Sequence, residues 1–346
     1  MKICLVAAPL IARSGVYNSA RELVAAARAG GHEWTAVLGV SEAADGSSRE
    51  QTGIVEFSAE PAGIAGVARL SRKLEAMEAV RQAELIVTLV PQSDMAFSLL
   101  RKPWVAYLRG LPWPAPGEAN RLKARLWRAL ESAALRRSKS VWATTPQLRR
   151  ETGSIVERLV PPGIAIPPVP MQSDNRSTFV WAARYSADKD PLLFVEALRG
   201  ARLEGAMYGS GPLADPIRAA APTNVAVPGW ASPELMWSGA RAYVGTSTRE
   251  AFGRSAVEAA MLGIPPLVAS SFGCAEMLYQ DADLANALVI DSRDPRIWRE
   301  KMELLAEDDS LHQRASQHAK SRAIELSIDA AVRAVHVAAE KVTRSM

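Results

Sequence analysis

The sequence predicts an α/β protein built from two doubly wound domains, each with a parallel sheet covered by helices on both faces. Three observations point there. Short apolar runs alternate with amphipathic stretches along the whole chain. The apolar runs are nearly continuous rather than alternating, as in strands buried on both faces. A proline-dense segment, 161–175, offers no helix and separates two halves of similar pattern, as an interdomain linker does. At 346 residues the chain is also long enough for two cores.

In the first half the apolar runs Lys2–Pro9, Glu33–Val40, Gly53–Phe57, Glu84–Val90, Trp104–Leu108 and Val141–Thr145 are the predicted strands. Between them the 3.6-residue spacing predicts helices at Val16–Arg28, with Leu23, Val24 and Ala27 on one face, at Val67–Arg81 and at Ala119–Arg137. The second half repeats the plan with strands at Thr178–Ala183, Leu203–Gly209, Val225–Val227, Ala242–Thr246, Pro266–Ala269 and Ala287–Ile290. The predicted domains are 1–165 and 166–326, with a terminal helix, 327–346, packing back toward the first. Open α/β sheets bind ligands beyond the carboxyl ends of their strands, so two such domains facing each other enclose a cleft.

Composition is that of an ordinary globular protein, with 48% hydrophobic and 23% charged residues. The apolar start of about ten residues meets Arg13, which is too short for a membrane span or a secretory leader and fits a buried strand. Cys4 and Cys274 lie in opposite halves and suggest neither disulfides nor a metal site, so a reducing, cytoplasmic setting is expected. His32, His312, His318 and His336 show no metal-ligand spacing; His312 and His318 read as surface residues of a polar helix. Charge divides unevenly: residues 1–168 hold 22 basic and 15 acidic residues, against 19 and 22 in the remainder. The first half therefore presents an anion-seeking surface.

The chemistry concentrates in Thr248–Pro265. A buried strand ends before Glu250; Gly253 then precedes a helix beginning at Arg254 or Ser255 and ending at Gly263, with Pro265 barring extension. Glycine before a helix N-terminus at a strand end is an anion site, because free N–H groups and the helix dipole point at it. Glu250 and Glu258 would flank that pocket, within reach of sugar hydroxyls. Read alone, the same glutamates fit equally well as acidic residues complementing a helix dipole.

This segment resembles the retaining GT-B glycosyltransferases, whose signature is E-x-F-G-x(4)-E-A-x-A-x-G-x-P. Glu250, Phe252, Gly253, Glu258, Ala259, Gly263 and Pro265 match it, with Met261 for the usual alanine. The following G-G-x-x-E loop is matched by Gly273 and Glu276, with Cys274 at the second glycine. The resemblance implies that Glu258 holds the ribose hydroxyls of a nucleotide, and that Glu250, Ala251 and Phe252 contact the transferred sugar. Arg184 and Lys189, in Trp181–Pro191, resemble the pair that grips the donor diphosphate; a solvated lysine before a proline-started helix is the competing reading. Gly209 and Gly211 resemble the G-x-G-P turn, and Trp230 the strand end beside the nucleobase, where a buried tryptophan would serve as well. Val160–Ile164 resembles the domain-crossing P-N-G-V segment, with Pro162 for asparagine.

In the first domain Gly15 lies between a strand and a helix, where it lets backbone N–H groups approach the donor phosphate. Gly31–Trp34 resembles the family's G-H-E-V, which makes His32 structural. Relatives carry a histidine after the strand near residue 105; here Arg109 stands in that region, on the acceptor side, and no catalytic histidine is carried over.

The expected activity is transfer of a sugar, with retained configuration, from a nucleotide-diphosphate sugar to an acceptor of undetermined class. No cofactor is expected. No metal is expected either; Arg184, Lys189 and the helix N-terminus with Arg254 and Ser255 would neutralise the diphosphate. The basic amphipathic stretch 119–137 reads as an ordinary packed helix, or as a surface for anionic lipid at the inner face of a membrane, or as one for another polyanion. Two other classes compete with a transferase: an inactive sugar- or nucleotide-binding module, and a sugar-nucleotide epimerase of the same fold.

Overall fold

The computed structural model describes residues 1–345 apart from 14, 45–49, 62, 114–119 and 169–175. The chain divides into two compact units, residues 1–163 with 328–346, and residues 164–327.

The N-terminal unit holds β1 (Ile3–Leu10), β2 (Trp34–Val40), β3 (Ile54–Ser58), β4 (Leu85–Thr88), β5 (Trp104–Leu108), β6 (Val141–Ala143) and β7 (Arg158–Leu159). Every pairing is parallel and the order is β3-β2-β1-β4-β5-β6-β7. Winding reverses between β1 and β4, which are paired from Ile3↔Leu85 to Val6↔Thr88. The period-2 geometry of β1 explains two cores. Ile3, Leu5 and Ala7 join Leu23, Val24 and Ala27 with Val335, Ala338 and Val342 of the terminal helix Ile328–Arg344. Cys4 and Val6 face Leu74, Phe97, Ala134 and Leu135 on the other side.

The second unit holds β8 (Thr178–Ala182), β9 (Glu204–Tyr208), β10 (Val225–Gly229), β11 (Ala240–Gly245), β12 (Pro266–Ala269) and β13 (Val289–Ile290). Its order is β10-β9-β8-β11-β12-β13, again all parallel, with the reversal between β8 and β11. Trp181, Trp237, Trp298, Phe179 and Phe194 anchor its core. Ile164 forms a bridge to Ser327, so the unit opens and closes at one place.

Several elements differ from the expectation. The stretch 67–81 contains a break at Met77, whose ψ of 134° ends one helix, Ile64–Ala76, before another, Glu78–Gln82, begins. Asp281 accepts from the N–H groups of Asp283 and Leu284 and starts a helix, Ala282–Leu288; only Val289 and Ile290 of the expected strand 287–290 pair with the sheet. The basic helix runs Arg121–Leu135, capped by the Asn120 side chain on the Lys123 N–H. Ala119 and part of the linker, 169–175, fall outside the described residues. The histidines are half-buried rather than freely solvated: His312 Nε2 lies 2.9 Å from the Arg241 carbonyl, and the His318 ring stacks on Tyr279.

Candidate active site

The second unit brings the predicted segment together at the carboxyl end of β11. After Gly245 the chain turns through Thr246–Arg249, and Glu250 forms a parallel bridge with Phe272. The Gly273 N–H donates to the Glu250 carbonyl at 2.9 Å, and the Cys274 N–H to the Phe252 carbonyl at 2.8 Å. The two loops therefore zip together and fix the backbone of residues 250–252. Gly253, at φ 102°, is the N-cap of the helix Arg254–Met261. A Cβ there would stand 2.6 Å from Phe272 and 2.9 Å from Cys274 Sγ, so both conformation and space require glycine. Phe252 is buried, Ala251 is exposed, and Arg254, Ser255 and Glu258 are half-buried along the first turns.

The loop after β8 supplies the cations. Lys189 ends a 3₁₀ turn, Ala187–Lys189, and Asp190 follows in the left-handed conformation (φ 45°, ψ 55°) before Pro191 begins the next helix, Pro191–Leu198. The Lys189 ammonium reaches Glu250 Oε2 at 2.7 Å and lies 3.6 Å from Asp188. Arg184 is more open, 3.9 Å from Asp188. Arg254 and Glu258 form an i,i+4 pair at 3.7 Å. Burial opposes the Asp188 charge, but the Ser186 hydroxyl, Lys189 and Arg184 outweigh it and hold that carboxyl below its ordinary value. The Lys189–Glu250 and Arg254–Glu258 pairs thus set mixed charge beside one helix N-terminus, with Arg184 in the loop that carries Lys189, an arrangement suited to a ligand carrying both phosphates and hydroxyls.

Gly209 and Gly211 lie beside the loop rather than in the cluster. A Cβ on Gly209 would sit 1.9 Å from the Ala183 carbonyl oxygen, and one on Gly211 2.5 Å from that of Tyr185. Their bare backbone lets the Tyr185 N–H donate to Ser210 and the Leu213 N–H to Tyr185, both within 3.0 Å, which cradles the backbone of Arg184. Trp230 follows β10 and is 80% exposed, so it is not the buried tryptophan that the sequence also allowed.

In the first unit Gly15 (φ 46°, ψ −105°) caps the helix Val16–Ala29, with open space where a Cβ would stand. Arg109, at the carboxyl end of β5, donates to the Ser19 hydroxyl in the first turn of that helix and lies over the Tyr107 ring at 4.9 Å. The two residues predicted for this unit are therefore neighbours. Burial pushes the Tyr107 phenol up to about 12, with Arg109 opposing.

Sequence reasoning missed the residues that hold the Lys189 loop: Thr246, Thr248, Trp181 and Arg293. Trp181, in β8, and Thr246, just beyond β11, lie 65 positions apart, and nothing in either local pattern announces that their side chains meet.

Two family models match the chain. The one described as "Glycosyl transferases group 1" matches residues 169–322, and the one described as "Glycosyl transferase 4-like domain" matches residues 14–163. No curated protein sequence matches. Among solved structures, sucrose-phosphate synthase from Thermosynechococcus elongatus is similar at TM-score 0.80 and 16% identity, with all of both chains covered. Anabaena HepE in complex with UDP and glucose is similar at TM-score 0.72 and 15% identity, over 99% of this chain and 100% of that one. A glycosyltransferase from Rickettsia africae gives 0.73 and 12%, over 100% and 99%. These likenesses show the GT-B fold.

Proposed function

We propose that this chain, a glycosyltransferase of the GT-B fold, moves a sugar from a nucleoside-diphosphate sugar with retention and without a metal ion. The observation that carries the reading is the cluster of Lys189, Glu250, Arg254 and Glu258 around the N-terminus at Gly253. In the proposal Lys189 and Arg184 bind the diphosphate, aided by the backbone N–H groups of Arg254 and Ser255 at the helix N-terminus. The glutamates bind hydroxyls, Glu258 those of the ribose and Glu250 those of the transferred sugar. Ala251 and Phe252 offer backbone groups to the same sugar, and Trp230 stands open for the base. HepE, a structural relative, was solved with UDP and glucose, which favours a diphosphate donor of this kind.

The bond between the anomeric carbon and the β-phosphate oxygen breaks, and the acceptor oxygen bonds to that carbon on the same face. The departing phosphate takes the acceptor's proton. The leaving nucleotide carries about two to three negative charges, one of which develops as the bond breaks, and fixed cations lower the barrier to its departure. Gly15 and Arg109 belong to the same proposal, Gly15 as a phosphate contact and Arg109 on the acceptor side.

A panel of nucleotide sugars, with and without EDTA, tests this reading. One donor should be hydrolysed slowly without acceptor, equally in both conditions. Lys189→Ala should lower that rate by about 100-fold or more, the scale of losing one preorganised transition-state contact. Turnover of none of the donors, together with no thermal shift by any nucleoside diphosphate, would sink the transferase reading. Strong EDTA inhibition would sink the metal-free mechanism, and inverted product stereochemistry the retaining one.

The helix Arg121–Leu135 presents Leu122, 79% exposed, and Leu126, 55% exposed, beside Arg121, Lys123, Arg125 and Arg128. Among the described residues no helix is long and apolar enough to cross a membrane. We place an anionic lipid surface against this helix, with the leucines entering the interface and the cations meeting headgroups.

A further inference from the structure

We infer that Thr246, with Trp181 behind it, is the positioning residue that aims Lys189 at the donor. The inference rests on the proposed role of Lys189 in gripping the diphosphate.

Three consecutive carbonyls of the Lys189 loop are held by the segment just beyond β11. Asp188 accepts from the Thr248 N–H at 2.9 Å and from the Thr248 hydroxyl at 3.1 Å. The Thr246 hydroxyl stands 3.0 Å from the Lys189 carbonyl and 2.8 Å from that of Asp190, and shares its one proton between them. Its oxygen in turn accepts from the Trp181 indole N–H at 2.8 Å. Arg293 donates to the Thr246 carbonyl and lies 3.7 Å from the Asp190 carboxylate.

This arrangement has a purpose that packing alone does not require. A 3₁₀ turn of three residues is a weakly bonded unit, and here it is followed by a left-handed aspartate. By itself it would not hold a long lysine side chain in one direction. Thr246 and Trp181 are each 1% exposed, so their hydrogen bond is sheltered from water and rigid. Four residues after Thr246 comes Glu250, which receives the Lys189 ammonium at 2.7 Å. The same strand end therefore fixes both the backbone that carries the lysine and the carboxylate it meets. The hydroxyl is required because it must accept from the indole and donate to the carbonyls at once, and an apolar side chain of equal size can do neither.

The experiment measures the affinity of UDP, ADP and GDP by calorimetry, together with donor hydrolysis and melting temperature, in a cycle of Thr246→Val and Lys189→Ala. Thr246→Val should weaken binding of the preferred diphosphate and lower kcat on the order of 10- to 100-fold, as about an ångström of misplacement does. Thr246→Ser should restore most of the loss, and Trp181→Phe should reproduce part of it. Thr246→Val added to Lys189→Ala should weaken binding no further, because both act through one ammonium. Losses that multiply in the double variant, or a Thr246→Val protein that binds and turns over like the wild type, would overturn the positioning role while leaving Lys189 in place. Unchanged binding in Lys189→Ala would instead remove the reading on which the inference stands.

Discussion

Asp94 and Glu131 meet in the interior of the N-terminal unit, the first 2% exposed and the second fully buried. Burial pushes the Glu131 carboxyl well above the ordinary range, and the neighbouring Asp94 charge pushes it further. Asp94 also rises through burial, with Glu131 and Thr88 opposing by hydrogen bonding. Two buried carboxyls that interact resist being charged together, so Glu131 keeps its proton above the ordinary carboxylate range. The sign of the pH dependence follows. An unfolded glutamate loses its proton near 4.5. At higher pH the folded chain still binds a proton that the unfolded chain has lost, so stability is greatest below that value and falls as pH rises toward the folded pKa. Glu131→Gln keeps the shape and removes the titration, so it should raise the melting temperature at pH 9 more than at pH 5. The gain should be about 2–4 °C for each kcal/mol recovered in a unit of this size. Thermal unfolding at both pH values checks it; an equal change at both would contradict the raised carboxyl of Glu131. This pair was illegible in the sequence. Glu131 lies in a strongly basic helix, and only the fold shows that Leu122 and Leu126 face outward while the glutamate faces inward.

Among the elements, strands were the most legible because a doubly buried strand is a continuous apolar run. Trp104–Leu108 and Pro266–Ala269 match the expectation residue for residue. Helix ends were less so: nothing apolar marks the break at Met77, and Arg158–Leu159 is too short to carry a pattern. The glycines were recognised, but what surrounds them was not. Gly209 and Gly211 support the Arg184 backbone through contacts that only the folded turn reveals. Gly209→Ala should therefore displace the Arg184 loop, costing roughly 1–3 kcal/mol of stability and weakening diphosphate binding by calorimetry. Unaltered melting and binding would show that the loop tolerates the shift. For the helix Arg121–Leu135, replacing Leu122 and Leu126 with serine should abolish sedimentation with phosphatidylglycerol vesicles and leave donor hydrolysis unchanged. Retained sedimentation would remove the lipid surface from the account.

Across the whole molecule the chain splits chemistry between its units. The predicted donor contacts that cluster around Gly253 all belong to residues 164–327, within one reversal of strand order between β8 and β11. Residues 1–168 carry the basic excess, and within them Gly15 and Arg109 are neighbours through Ser19. The proposed donor grip was readable because it is contiguous: Glu250 to Glu258 is a strand end, a glycine and one helix turn. The supports were not, since Trp181, Thr246 and Arg293 come from three separate elements. The proposal that this cluster holds a nucleoside diphosphate is tested by a crystal soaked with the donor that turns over. The diphosphate should lie against Lys189, Arg184 and the N–H groups of Arg254 and Ser255, with the ribose hydroxyls on Glu258. A nucleotide bound elsewhere, or one meeting Glu258 with its phosphates, would contradict it.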